Sequence, residues 1–114
     1  MLEKSIGIPL FRNFKLAMKT LVVIGDSEEP KTKYQLYVTM LRNHINVSKK
    51  KRREAKKAID HAIEELKTYE LIEEDENGRI RLTRNGEALY LAFERTGIAA
   101  YLRKITHMNN YDKD

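Results

Sequence analysis

Asn77-Gly78 narrows the fold more than any other feature of this sequence. It places a chain reversal between two short apolar stretches, in a chain whose other apolar patterns all have helical period. Both residues tolerate positive φ, so the pair predicts a two-residue hairpin with a type I′ turn. Beyond it Arg79, Ile80, Arg81 and Leu82 alternate, giving a strand with one apolar and one basic face. Before it lies an acidic stretch, Glu73-Glu74-Asp75-Glu76.

Helices are predicted on either side. Leu10, Phe11, Phe14, Ala17, Met18, Leu21 and Val22 share one face at period 3.6 and predict a first helix that Gly25 ends. Pro30 precedes a second, with Thr32 as its cap and Tyr34, Tyr37, Met40, Leu41 and Ile45 on one face. After a turn at Asn46-Val47-Ser48, with Ser48 placed as an N-cap, the third and longest runs from about Lys49 to Tyr69. Its buried stripe is Ala55, Ile59, Ala62, Ile63 and Leu66, while Lys50, Arg53, Lys57 and His61 point the other way. Thr83 caps a fourth helix carrying Ala88, Leu89, Leu91, Ala92 and Phe93, and Thr96-Gly97 separates it from a last stripe of Ile98, Tyr101, Leu102 and Ile105.

A chain of 114 residues is expected to form one domain. Residues 10–95 read as its core, 97–107 as a C-terminal helix and 108–114 as a polar tail. The charge is unevenly spread. Residues 48–57 hold seven cations and one anion, a net +6, and residues 58–78 hold eight carboxylates against one lysine, a net −7. The net charge of the whole chain is +5, so one ten-residue segment carries the entire positive excess. A near-neutral body with one basic stripe suits a directed contact with a polyanion. The position of the stripe strengthens this expectation: each cation at a helix N-terminus is disfavoured by about 0.3–1 kcal/mol, a loss that an anionic partner reverses.

Three helices, a hairpin and a further helix, with the run from Leu66 to Leu89 at their junction, resemble a winged helix-turn-helix of the MarR-like and PadR-like regulators. The match extends from about Leu36 to Tyr90 and includes Leu82-Thr83-Arg84-Asn85-Gly86, similar to the family's helix entry of leucine, threonine and glycine. The chain also resembles the N-terminal winged domain of Mrr-type restriction proteins. The resemblance implies a mainly α fold with a small β-hairpin wing, an extra terminal helix for dimerisation, and a homodimer that places its third helix in the major groove of DNA. Two departures stand out. The third helix is about two turns longer at its front, and the added piece is the basic segment itself. Glu70 stands where a glycine usually ends that helix, and the wing is acidic.

The candidate DNA-binding residues are therefore Lys49, Lys50, Arg52, Arg53, Lys56, Lys57 and His61 on the third helix, with Arg79 and Arg81 on the wing. Lys50, Arg53 and Lys57 are placed in the groove, with Lys49, Arg52 and Lys56 flanking them on phosphates. Arg79 and Arg81 have an equal alternative in cross-strand pairing with Glu73 or Asp75. Arg42 and Arg84 read as surface. Tyr34, Tyr37, Tyr69, Tyr90, Phe93 and Tyr101 read as core or interface, and the lack of aromatics between Asn46 and Thr68 disfavours single-stranded nucleic acid.

His44, His61 and His107 have no partner at metal-ligand spacing, and no catalytic signature or phosphate-binding glycine loop is present. Neither an enzyme nor a metal, cofactor or small-molecule ligand is expected. With no cysteine and no long apolar run, the expected location is cytoplasmic, on the nucleoid. The apolar residues Leu2, Ile6, Ile8, Phe11 and Phe14 at one end, and Ile98 to Ile105 at the other, are expected to pair across a dimer axis rather than only complete the monomer core. The function expected is double-stranded DNA binding by a homodimeric transcriptional regulator. An architectural, replication or partition protein of low sequence specificity, and a winged helix that docks an acidic protein, are the alternatives.

Overall fold

A computed structural model describes residues 11–43 and 48–105. Its elements are α1 (Phe14–Asp26), β1 (Lys31–Thr32), α2 (Lys33–Asn43), a 3-10 turn (Lys49–Lys51), α3 (Arg52–Thr68), β2 (Ile72–Glu74), β3 (Arg79–Leu82), α4 (Arg84–Thr96) and α5 (Ile98–Lys104). The protein is mainly helical with a small three-stranded antiparallel sheet ordered β1-β3-β2, in the element order of a winged helix. None of the described helices is long and apolar enough to cross a membrane.

The core is built around α1. Every residue from Leu16 to Ile24 is buried, so this helix is enclosed on all sides rather than along one stripe. It begins at Phe14, four residues later than the apolar pattern predicts, because Asn13 accepts a hydrogen bond from the Leu16 amide and caps it there. Nor does Gly25 end it. The helix continues to Asp26, and a Cβ at Gly25 would enter the Tyr90 ring, so this glycine makes room for α4 packing.

Lys19 lies in the middle of α1 and is 1 % exposed. Its Nζ donates to the carbonyls of Leu102 and Ile105 at the end of α5, satisfying groups that a helix C-terminus leaves open. Burial lowers its pKa. Ala99 and Leu102 are buried against the same core. The C-terminal apolar stripe thus completes the monomer in part, a use that the dimer expectation ranked second.

Thr32 and Gln35 form a reciprocal capping pair at the start of α2: the Gln35 amide donates to Thr32 Oγ1 and the Thr32 amide to Gln35 Oε1. Thr32 also belongs to β1, which pairs Lys31 with Ile80 and Thr32 with Arg79. A two-residue strand is too short to show an alternating pattern, and the sequence does not reveal it. Leu2, Ile6, Ile8, Leu10, Ile45, His44 and His107 lie outside the described residues, as does the tail.

The wing turn differs from the two-residue reversal predicted. Among its non-strand residues only Gly78 has positive φ, at 79°; the Gly78 amide donates to the Asp75 carbonyl at 3.0 Å, and β2 and β3 are joined by a longer loop of the bulged type. Asp75 decides this: its Oδ1 accepts from the amides of Asn77 and Arg79, drawing the chain into a tight local turn before the glycine.

Candidate nucleic-acid interface

The exit of α3 fixes how the wing stands relative to the helix. The Glu70 amide donates to the Lys67 carbonyl and the Leu71 amide to the Leu66 carbonyl, the paired bonds of a Schellman end. Such an end needs a left-handed residue, and here it is Glu70, with φ of 61°. Thr83 ties the base of the wing to this point, since its Oγ1 donates to the Glu70 carbonyl and accepts from the Gly86 amide to cap α4. A Cβ at Gly86 would strike the Leu71 carbonyl, which accounts physically for the glycine in the Leu82-to-Gly86 stretch.

The buried stripe of α3 is Ala55, Ile59, Ala62, Ile63 and Leu66, as predicted. It leaves Lys50, Arg53, Lys57 and His61 exposed on the outer side. The front of the helix opens more tightly than expected. Lys49–Lys51 form a 3-10 turn in which the Lys51 amide donates to the Ser48 carbonyl, and the Ser48 side chain makes no capping bond. No acidic residue sits in that opening turn. Lys49, Lys50, Lys51, Arg52, Arg53 and Lys57 make no ion pair or side-chain hydrogen bond among the described residues, and all but the half-buried Lys51 are exposed.

The other sequence-predicted residues are differently engaged. Lys56 turns towards α2, its Nζ 5.7 Å from the centre of the Tyr37 ring. His61 accepts a hydrogen bond from Arg12 Nη1 at 2.9 Å, while the Arg12 amide donates to Glu65 Oε2. Arg12 therefore adds a guanidinium to the outer face near Lys57, and both line a cleft of about 350 Å³ with Glu54 and His61. Nothing in the sequence spacing links residue 12 to residue 61, and this contact was not foreseen.

On the wing, Arg81 pairs with Glu73 across the strands, Nε to Oε2 at 3.0 Å, in the register Glu73↔Arg81. That is the cross-strand alternative. Arg79 is exposed and has no side-chain ion pair among the described residues. The acidic wing is also largely neutralised from within. Glu74 takes Lys67 Nζ at 2.6 Å, and Asp75 is held by two backbone amides, chiefly that of Arg79, which keep its carboxyl below the usual range. Glu76 alone of the four reaches out from the tip without a partner among the described residues.

Lys67 continues a chain of charges along the back of α3. It contacts Glu64 at 3.6 Å, Glu64 contacts Lys33 at 3.6 Å, and Lys33 contacts Asp60 at 3.8 Å. Asp60 accepts from the Tyr37 hydroxyl at 2.6 Å. Burial first, and then this bond, push the Tyr37 pKa up to about 12. The bond to Glu74 raises the Lys67 pKa against the effect of its burial.

Of the tyrosines read as core or interface, two stand outside the monomer core. Tyr34 is 68 % exposed and Tyr101 50 % exposed. Among the described residues no group of three or more His, Cys, Asp or Glu could hold a metal ion. No family model matches the chain, and neither does any curated protein or solved structure.

Proposed function

We propose that this protein binds double-stranded DNA through the front of α3 and acts as a homodimeric transcriptional regulator in the cytoplasm, on the nucleoid. One observation carries the reading: six cations gathered at and just behind a helix start, where the helix dipole disfavours them, none of them in an ion pair among the described residues and only Glu54 interspersed among them. Duplex DNA supplies a dense row of anions and a groove that admits a helix. Lys50, Arg53 and Lys57 face outward to enter it, Lys49 and Arg52 flank them, and Arg79 on the wing reaches the neighbouring backbone. The dimer reading draws on Phe14, Leu91, Ile98 and Tyr101, all large and exposed, and on α4, in which Gly86 alone is fully buried.

A second reading is an architectural protein of low sequence preference. Five of the seven cations in 48–57 are lysines, which serve phosphates as point charges, and only Arg52 and Arg53 offer the fork that reads guanine. Selection from a pool of random duplexes at two salt concentrations decides between them. A steep salt dependence with an enriched sequence supports the regulator, the same dependence without enrichment supports the architectural role, and no binding near physiological salt overturns both.

A further inference from the structure

Beside the front of α3 lies a groove of about 450 Å³ between that helix and α2. Its floor is apolar and aromatic: Tyr37, Val38 and Leu41 are half-buried, and Tyr34 stands exposed at one end. Its rim is cationic, formed by Arg42, Arg52 and Lys56, and no carboxylate lines it. Arg42 and Arg52 make no ion pair among the described residues, and the Lys56 ammonium hangs over the Tyr37 ring. In sequence these groups look unrelated, because the cations from 49 to 57 contain no aromatic and the tyrosines precede them by a whole helix. Folding interleaves them.

We infer that this groove takes an unpaired stretch of a DNA strand, with a base stacked on Tyr34 and its phosphates on Arg42, Arg52 and Lys56. The inference rests on the DNA-binding reading and adds to it a preference for duplex that borders single strand. The chemistry of the groove selects the occupant. A ligand must offer a flat apolar face and several negative charges a short distance apart, and a run of nucleotides has both in every repeat. Intact duplex cannot use Tyr34 in this way, since its bases are already stacked on one another. Arg52 belongs both to the groove and to the front of α3, so a strand leaving the duplex at α3 passes directly to α2. An acidic peptide bearing aromatic side chains is the competing occupant.

The test compares a blunt duplex with the same duplex carrying a short thymidine overhang, by fluorescence anisotropy at fixed salt, for the parent protein and for Tyr34→Ala and Tyr34→Phe. The overhang is expected to tighten binding by about tenfold in the parent, as one stacked base does elsewhere. Tyr34→Ala loses that gain and keeps the blunt-duplex affinity, and Tyr34→Phe keeps both. Because Tyr34 is largely exposed, both variants are expected to melt with the parent. Equal affinity for the two duplexes, or an overhang gain that survives in Tyr34→Ala, overturns the inference. So does displacement of the overhang by a peptide of alternating Glu and Tyr at the concentration at which free thymidine strand displaces it. Blunt-duplex binding is read in the same experiment, and its absence counts against the duplex reading separately from the overhang gain.

Discussion

The two ends of α3 share one helix and one buried stripe, yet they use charge in opposite ways. From Asp60 onward the charges facing α2 and the base of the wing are paired, in a chain running Lys33, Asp60, Glu64, Lys67, Glu74. From Lys49 to Arg53 none has one among the described residues. The rear half therefore uses its charges to hold α2, α3 and the wing together, and the front half holds its charges in reserve for something outside the molecule. A high content of charged residues does not by itself distinguish these uses. The pairing does.

Changing Lys50, Arg53 and Lys57 together to Ala is the strongest challenge to this contrast. Duplex affinity is expected to fall by about 100-fold or more near physiological salt, and the salt slope to drop by about three. The melting temperature should hold or rise, since like charges leave a helix start. A protein that binds as before, or that unfolds, breaks the contrast.

Ile63→Ala applies the opposite probe to the buried stripe of the rear half. Ile63 is fully buried, so a loss of about 2–5 kcal/mol is expected in urea unfolding. The salt slope of duplex binding, measured where the variant remains folded, should stay that of the parent.

Glu70→Gly sharpens the picture at the helix exit. A non-glycine residue at φ of 61° is strained, and removing its Cβ is expected to stabilise the protein by about 0.5–1 kcal/mol, less the extra freedom glycine gains when unfolded. Chemical denaturation measures it. Were the variant less stable, the Glu70 side chain would be making a contribution larger than the strain.

The smallest effect expected is at Asp75. Its carboxyl titrates lower in the folded protein than in the unfolded chain, chiefly because the Arg79 amide bonds to the ionised form. Its contribution to the wing is present above the ordinary carboxylate range and is lost as pH falls through the depressed value. An acid titration followed by NMR should move the Asn77 and Arg79 amides together, while amides at the front of α3 stay in place.

The sequence revealed most where one residue type has one structural consequence. The stripe of α3, the cap at Thr83 and the capping role of Thr32 follow from local rules, and each is seen. The front of α3 was legible as a charge anomaly because helices rarely begin this way. What escaped depends on distant parts of the chain meeting. Arg12 reaches His61, Tyr34 joins Arg52 in one groove, and Lys19 finds the carbonyls of α5, each contact linking different elements of the chain. Gly25 misled for the same reason: a glycine that ends a helix and one that admits an aromatic ring look identical until the ring is in place.

The bonds from Lys19 to Leu102 and Ile105 have a bearing on how the protein is made. They join positions 83 and 86 residues apart, the first described helix to the last. During synthesis α1, the most enclosed element of the fold, leaves the ribosome well before α5 exists. Until then its lysine and the apolar surface that α5 covers are both in water, and a nascent chain lacking α5 cannot settle into its final core. Completion of this core therefore waits for α5, and truncation before residue 98 should yield a chain that chaperones retain rather than a smaller working domain.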